Sequence, residues 1–122
     1  MRETKIKWLE KPQKHDYVAA RSYLSLTMEP RAAKDRAAEL KRSRMTEFPA
    51  KDIFRASGLP LLGAGNSHVE KVRAQILRNE ELSPLLLCRD KARAKLIIAD
   101  GYHRICAVYV FDENAMIPCK IV

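Results

Sequence analysis

Apolar positions along this chain change their spacing several times, and each change marks an element. Tyr17, Ala20 and Leu24 recur at intervals of three and four, with Val18 on the flank. That spacing predicts a helix over 16–27 with Asp16 as its cap. Pro30 suits the first turn of a second helix over 30–44. Its apolar stripe is thin (Ala33, Ala37, Leu40), and its opposite face carries Arg31, Lys34, Lys41 and Arg42. An extended piece at Phe48 precedes a short helix over 50–57, which Gly58 and Pro60 end. After the loop "GAGN", Ser67 and Glu70 form a capping box for a helix over 67–79. Val69, Val72 and Ile76 supply its buried face, with Leu77 at the edge. "LLLCR" and "KLIIAD" flank the polar turn "DKARA" and read as a hairpin of buried strands. "YHRICAVYVF" is apolar nearly all round, which predicts a buried helix, and "MIPCKIV" is a closing strand. Pro118 places that point of the strand outside a central ladder. Residues 1–14 are polar and basic, and read as an extended arm pinned by Trp8.

The order helix, strand, strand, helix, strand in the second half predicts an α+β domain with a small mixed sheet flanked by helices. Residues 1–45 form an N-terminal arm and helical extension, and residues 46–122 form the core. The 122 residues fit one domain. No apolar run reaches the length of a membrane span, and the N-terminus lacks the apolar centre of a secretion signal. A cytoplasmic protein with no membrane partner is expected.

The formal charge of +8 changes the picture only in its distribution. Residues 1–60 carry 14 Lys and Arg against 8 Asp and Glu, whereas residues 61–122 carry 9 against 7. A basic excess favours anionic partners, nucleic acid among them, and equally serves as a solubilising surface. Cys88, Cys106 and Cys119 form no CxxC pair, so zinc and dithiol chemistry are disfavoured and no metal site is expected. Each lies among apolar neighbours and reads as a buried reduced thiol.

The candidate chemistry lies in "ADGYHR", residues 99–104, where a strand ends and a helix begins. Such a junction offers free backbone N–H groups and the positive end of a helix dipole. Gly101 permits a tight turn and close approach of an anion. His103 and Arg104 add donors, and arginine can fork onto phosphate oxygens. Asp100 at the mouth could hold a metal ion beside a phosphate or take a proton from a hydroxyl. The plain alternative has Asp100 capping the helix, Arg104 pairing with Asp100, and His103 as a surface histidine. Asn66 and His68, at the start of the upstream helix, could face the same pocket. Tyr102 could stack on a base or pack as a plug.

Residues 46–122 resemble the ParB/sulfiredoxin-like superfamily. The likeness lies in the G-x-H-R motif of "LIIADGYHRICAVYVF", the closing "IPCKIV", the preceding strand "LSPLLLCR" and the upstream helix "NSHVEKVRAQI". The resemblance implies phosphate binding at Gly101, Tyr102, His103 and Arg104, with Lys71 matching a phosphate-reaching lysine of sulfiredoxins. The hydroxyl residues of those enzymes correspond to Ala74 and Arg78. The sulfiredoxin catalytic cysteine is replaced by Tyr102, and Cys106 lies one helical turn inward, which argues against sulfinic-acid reduction. The "DGYHR" form is closer to ParB-like kinases, in which the acid matching Asp100 is catalytic and a second, upstream carboxylate is needed. Glu47 and Asp52 are available for that role, and nothing in the sequence selects either.

Two classes of function follow. One is a binder of a nucleotide (ATP, ADP or CTP with Mg²⁺) or a phosphorylated small molecule, acting as a phosphotransferase or NTPase. The other is a non-catalytic interaction module that meets nucleic acid or protein with the basic N-terminal half. Residues 16–44 carry no firm recognition-helix signature for reading a DNA site.

Overall fold

A computed structural model describes residues 5–63 and 65–122. The chain order is α1 (Lys14–Leu24), α2 (Pro30–Arg42), β1 (Thr46–Pro49), α3 (Ala50–Ser57), α4 (Ser67–Leu77), β2 (Leu85–Asp90), β3 (Lys95–Asp100), α5 (Tyr102–Phe111) and β4 (Met116–Ile121). The class is α+β, with five helices and one four-stranded open sheet in the order β1-β4-β2-β3. The sheet is mixed: β1–β4 and β2–β3 are antiparallel, and β2–β4 is parallel.

The continuous apolar run of β2 follows from helices covering both faces of the sheet. Successive side chains of a strand point to opposite faces. Leu85 and Leu87 join the cluster under α3, α4 and α5, with Ile53, Val69, Ile76, Ile105 and Ile117. Leu86 and Cys88 join Ala20, Leu24, Ala33 and Leu40 of α1 and α2. The helical hairpin before residue 46 is therefore a packed layer. Leu24 and Leu40 are fully buried in it, and each such side chain contributes roughly 1.5–3 kcal/mol. The arm also docks: Leu82 bonds through its N–H to the Lys7 carbonyl and through its carbonyl to the Leu9 N–H, both at 2.8 Å. Trp8, between them, packs against the larger core cluster. Residues 1–4 lie outside the described region.

Several boundaries differ from expectation, each for a local reason. α1 spans Lys14–Leu24, with Gln13 rather than Asp16 as its N-cap. Asp16 is the third helical residue, and its carboxylate accepts from the Gln13 N–H at 3.0 Å. At α4 the cap is Asn66, not Ser67. The Asn66 Oδ1 accepts from the N–H groups of His68 (3.0 Å) and Val69 (3.1 Å). That helix stops at Leu77, and α2 stops at Arg42. β4 is an interior strand, yet Pro118 fits, because the parallel ladder with β2 begins only at Cys119.

Candidate functional site

The sheet delivers β3 directly into α5 through Gly101, whose φ of +111° favours glycine. A Cβ there would sit 2.6 Å from Leu85 Cγ, so the buried Leu85 side chain packed against the turn also demands glycine. No side chain caps α5, and its first backbone bond runs from the Ile105 N–H to the Gly101 carbonyl at 3.0 Å. The N–H groups of Tyr102, His103 and Arg104 precede that bond and are the donors a helix start leaves open.

α4 and α5 bring His68 and His103 together, with ring centroids 4.8 Å apart and planes tilted by 36°. His103 is held below the usual histidine value, first by burial, then by the nearby His68 and Arg104 charges. Lys71 is exposed on α4, one turn beyond His68. Tyr102 stands 5.6 Å from His103 between ring centroids. Its hydroxyl donates to the Pro60 carbonyl, which holds Pro60 beside the turn. Asn66 begins the same helix as His68, but its side-chain oxygen is occupied as the cap.

Arg104 points the other way. Its Nη2 donates to Asp100 Oδ2 at 2.7 Å and lies 3.5 Å from the Pro84 carbonyl, while its Nε is buried with no partner among the described residues. The two side chains are only 19 % and 16 % exposed. The guanidinium expected as a phosphate fork is thus committed to the carboxylate one turn before it, which is the plain alternative read from the sequence.

That corner also holds Asp16, which the sequence offers only as a helix cap. Asp16 is 2 % exposed, accepts a hydrogen bond from the buried Ser83 hydroxyl, and lies near enough to Asp100 for its charge to act there. Burial pushes the Asp100 carboxyl up, and the Asp16 charge adds to this, against a lowering influence from Arg104. The carboxylate beside Asp100 is therefore Asp16. Glu47 lies on the edge strand β1, and Asp52 pairs with Arg55 on α3. The signal was available: Asp16, Ala20 and Leu24 are spaced i, i+4, i+8, so the acid sits on the apolar stripe of α1.

None of the three cysteines offers a reactive thiol. Burial pushes Cys88 up to about 11 and Cys119 up to about 12, and raises Cys106. Among the described residues no cluster of three or more His, Cys, Asp or Glu side chains is arranged to hold a metal ion. No helix among them is long and apolar enough to cross a membrane. The cations Arg31, Lys34, Lys41 and Arg42 are exposed along α2. Comparison with known proteins adds no identity: no protein-family model, no curated protein and no solved structure matches this chain.

Proposed function

We propose that this protein is a ParB/sulfiredoxin-like module that binds a nucleotide or another phosphate-bearing ligand at the β3–α5 turn. The observation that carries the reading is the uncapped start of α5, with His68 and His103 packed together beside its open N–H groups. Phosphate oxygens take the N–H bonds of Tyr102, His103 and Arg104. The two imidazoles and Lys71 supply charge and further donors. Arg104 acts in this reading through Asp100, which it orients. Asp100 is the group placed to carry a proton if the bound phosphate is transferred to a hydroxyl or to water. Mg²⁺ arrives with the phosphates, since it is commonly held by one or two carboxylates plus substrate phosphates.

The test is a thermal-shift series with ATP, ADP, CTP and GTP, with and without Mg²⁺, on the wild type and on His103→Ala. Ligand at a hundredfold excess over Kd stabilises by about 2.7 kcal/mol. The expected result is stabilisation by at least one nucleotide that His103→Ala removes. No response to any of the four at millimolar concentration overturns the reading.

The exposed cations of α2 favour a second reading, contact with the phosphate backbone of nucleic acid. Charge reversal at Lys34, Lys41 and Arg42 then weakens binding to a DNA duplex, and His103→Ala leaves it intact.

A further inference from the structure

A second feature lies at the opposite end of the sheet. β3 runs from Lys95 to Asp100, so its start is about 17 Å from the α5 turn at the usual rise per residue. There, the face of the sheet that α3 covers only in part holds a cavity of about 450 Å³. That is within the size range of small-molecule sites. Ile53, Leu87, Leu96 and Ile121 line it, and the exposed ring of Phe48 stands at its edge.

The charge at its rim is one-sided. Arg89, Lys91 and Lys95 line the cavity and are exposed. None of them makes a salt bridge among the described residues. The two acids of the lining, Asp52 and Asp90, are each answered by an arginine from outside it, Arg55 at 3.5 Å and Arg93 at 3.0 Å. Three cations therefore stand beside an apolar trough with the local carboxylates already paired. A neutral apolar ligand would use the trough and leave the cations idle. A small inorganic anion would use the cations and leave the trough wet.

We propose that this groove binds an amphipathic organic anion: an apolar chain or ring system carrying one carboxylate, sulfonate or phosphate head. The body lies against Leu96, Ile121 and Phe48, and the head meets Arg89, Lys91 and Lys95. The site shares no residue with the β3–α5 turn and stands or falls independently of the function proposed above.

The probe is 1-anilinonaphthalene-8-sulfonate, titrated by fluorescence into the folded full chain. The proposal expects saturable one-to-one binding that decanoate displaces and decyltrimethylammonium does not. Ala56→Trp fills the groove from an exposed position of α3, and Lys91→Glu with Lys95→Glu reverses its rim. Each change is expected to weaken the dye about tenfold or more, equivalent to about 1.4 kcal/mol. Amide shifts of the wild-type protein on adding decanoate are expected within residues 48–56 and 87–96, a readout that needs no variant to fold. Equal displacement by the cationic detergent overturns the proposal. So does unchanged dye affinity in both folded variants, or amide shifts that fall elsewhere. Displacement by a single-stranded oligonucleotide but not by decanoate would assign the groove to nucleic acid and overturn it as well.

Discussion

Asp16 of α1 lies near enough to Asp100 at the end of β3 for its charge to raise the Asp100 carboxyl, with Ser83 donating to the first and Arg104 to the second. Two carboxylates in one buried site resist ionising together. Burial first, and then the Asp16 charge, raise the Asp100 carboxyl, and the Arg104 guanidinium opposes them. The contact also ties the N-terminal helical layer to the residue that begins the candidate site.

Asp16→Asn tests that coupling directly. Asparagine keeps an acceptor for the Gln13 N–H and the Ser83 hydroxyl, but removes the charge facing Asp100. The Asp100 titration midpoint, followed by carboxyl-carbon NMR, is expected to fall below its wild-type position. An unchanged midpoint would mean that burial alone sets it. Asp16→Ala also loses the two hydrogen bonds and is expected to cost about 1–3 kcal/mol in chemical denaturation.

Stability should depend on pH in two windows of opposite sign. The folded Asp100 value lies above 3.8, so the folded state holds the proton more tightly than the unfolded one. Its contribution is largest in acid and is lost as pH rises from 3.8 through the folded value. The folded His103 value lies below 6.5, so its contribution is fully present above 6.5 and is lost as pH falls through the folded value. Denaturation curves over a pH series check both. His103→Gln is expected to gain relative to wild type as pH falls below 6.5. Asp100→Asn is expected to gain relative to wild type as pH rises above 3.8.

Arg104→Ala is expected to damage the fold before it informs on any ligand. It would leave the part-buried Asp100 carboxyl without its cation, at a cost of roughly 1–3 kcal/mol, below that of breaking a fully buried ion pair. The double change Asp100→Asn with Arg104→Gln removes both charges and should cost less than the two single changes added together. Urea denaturation of the four proteins closes that cycle. Full additivity would show that the 2.7 Å contact carries no coupling energy.

Where local spacing decides the structure, the sequence was readable. The stripes Ala33–Ala37–Leu40 and Val69–Val72–Ile76 are buried as their periodicity requires. The two runs about "DKARA" pair as a hairpin, and Gly101 turns the chain between β3 and α5. Cap chemistry was harder to read, because Asn66 and Ser67 both carry suitable side chains and only the backbone angles choose between them. Contacts between distant segments were not legible. Periodicity can place Asp16 on a buried face, but it cannot say that β3 lies opposite. It likewise offers Arg104 as a fork without showing that Asp100 takes it.

Gly101 and Gly58 offer a matched comparison. Both have positive φ, +111° and +67°. Alanine at Gly58 would meet only the flexible end of Lys95 at 3.8 Å, so Gly58→Ala should cost about 1–2 kcal/mol, the left-handed backbone penalty alone. Alanine at Gly101 would overlap the buried Leu85 side chain, so Gly101→Ala should lose clearly more in the same denaturation assay. Equal losses would mean that Leu85 can yield, and that the tight β3–α5 turn is not fixed by packing.

The thiols supply the last test, because they separate this site from one that works through sulfur. Cys88 and Cys119, at about 11 and about 12, are roughly a thousandth or less ionised at pH 8. Cys106 is fully buried one turn into α5, beneath the turn that Tyr102 occupies. A disulfide reagent such as Ellman's is therefore expected to label none of the three in the native protein on the timescale of minutes, and all three at once in denaturant. The slow native reaction should track global unfolding, and any variant that destabilises the Asp16–Asp100 corner should speed all three thiols together. Selective fast labelling of Cys106 would instead place a reachable thiolate beside His103 and reopen sulfur chemistry at the turn.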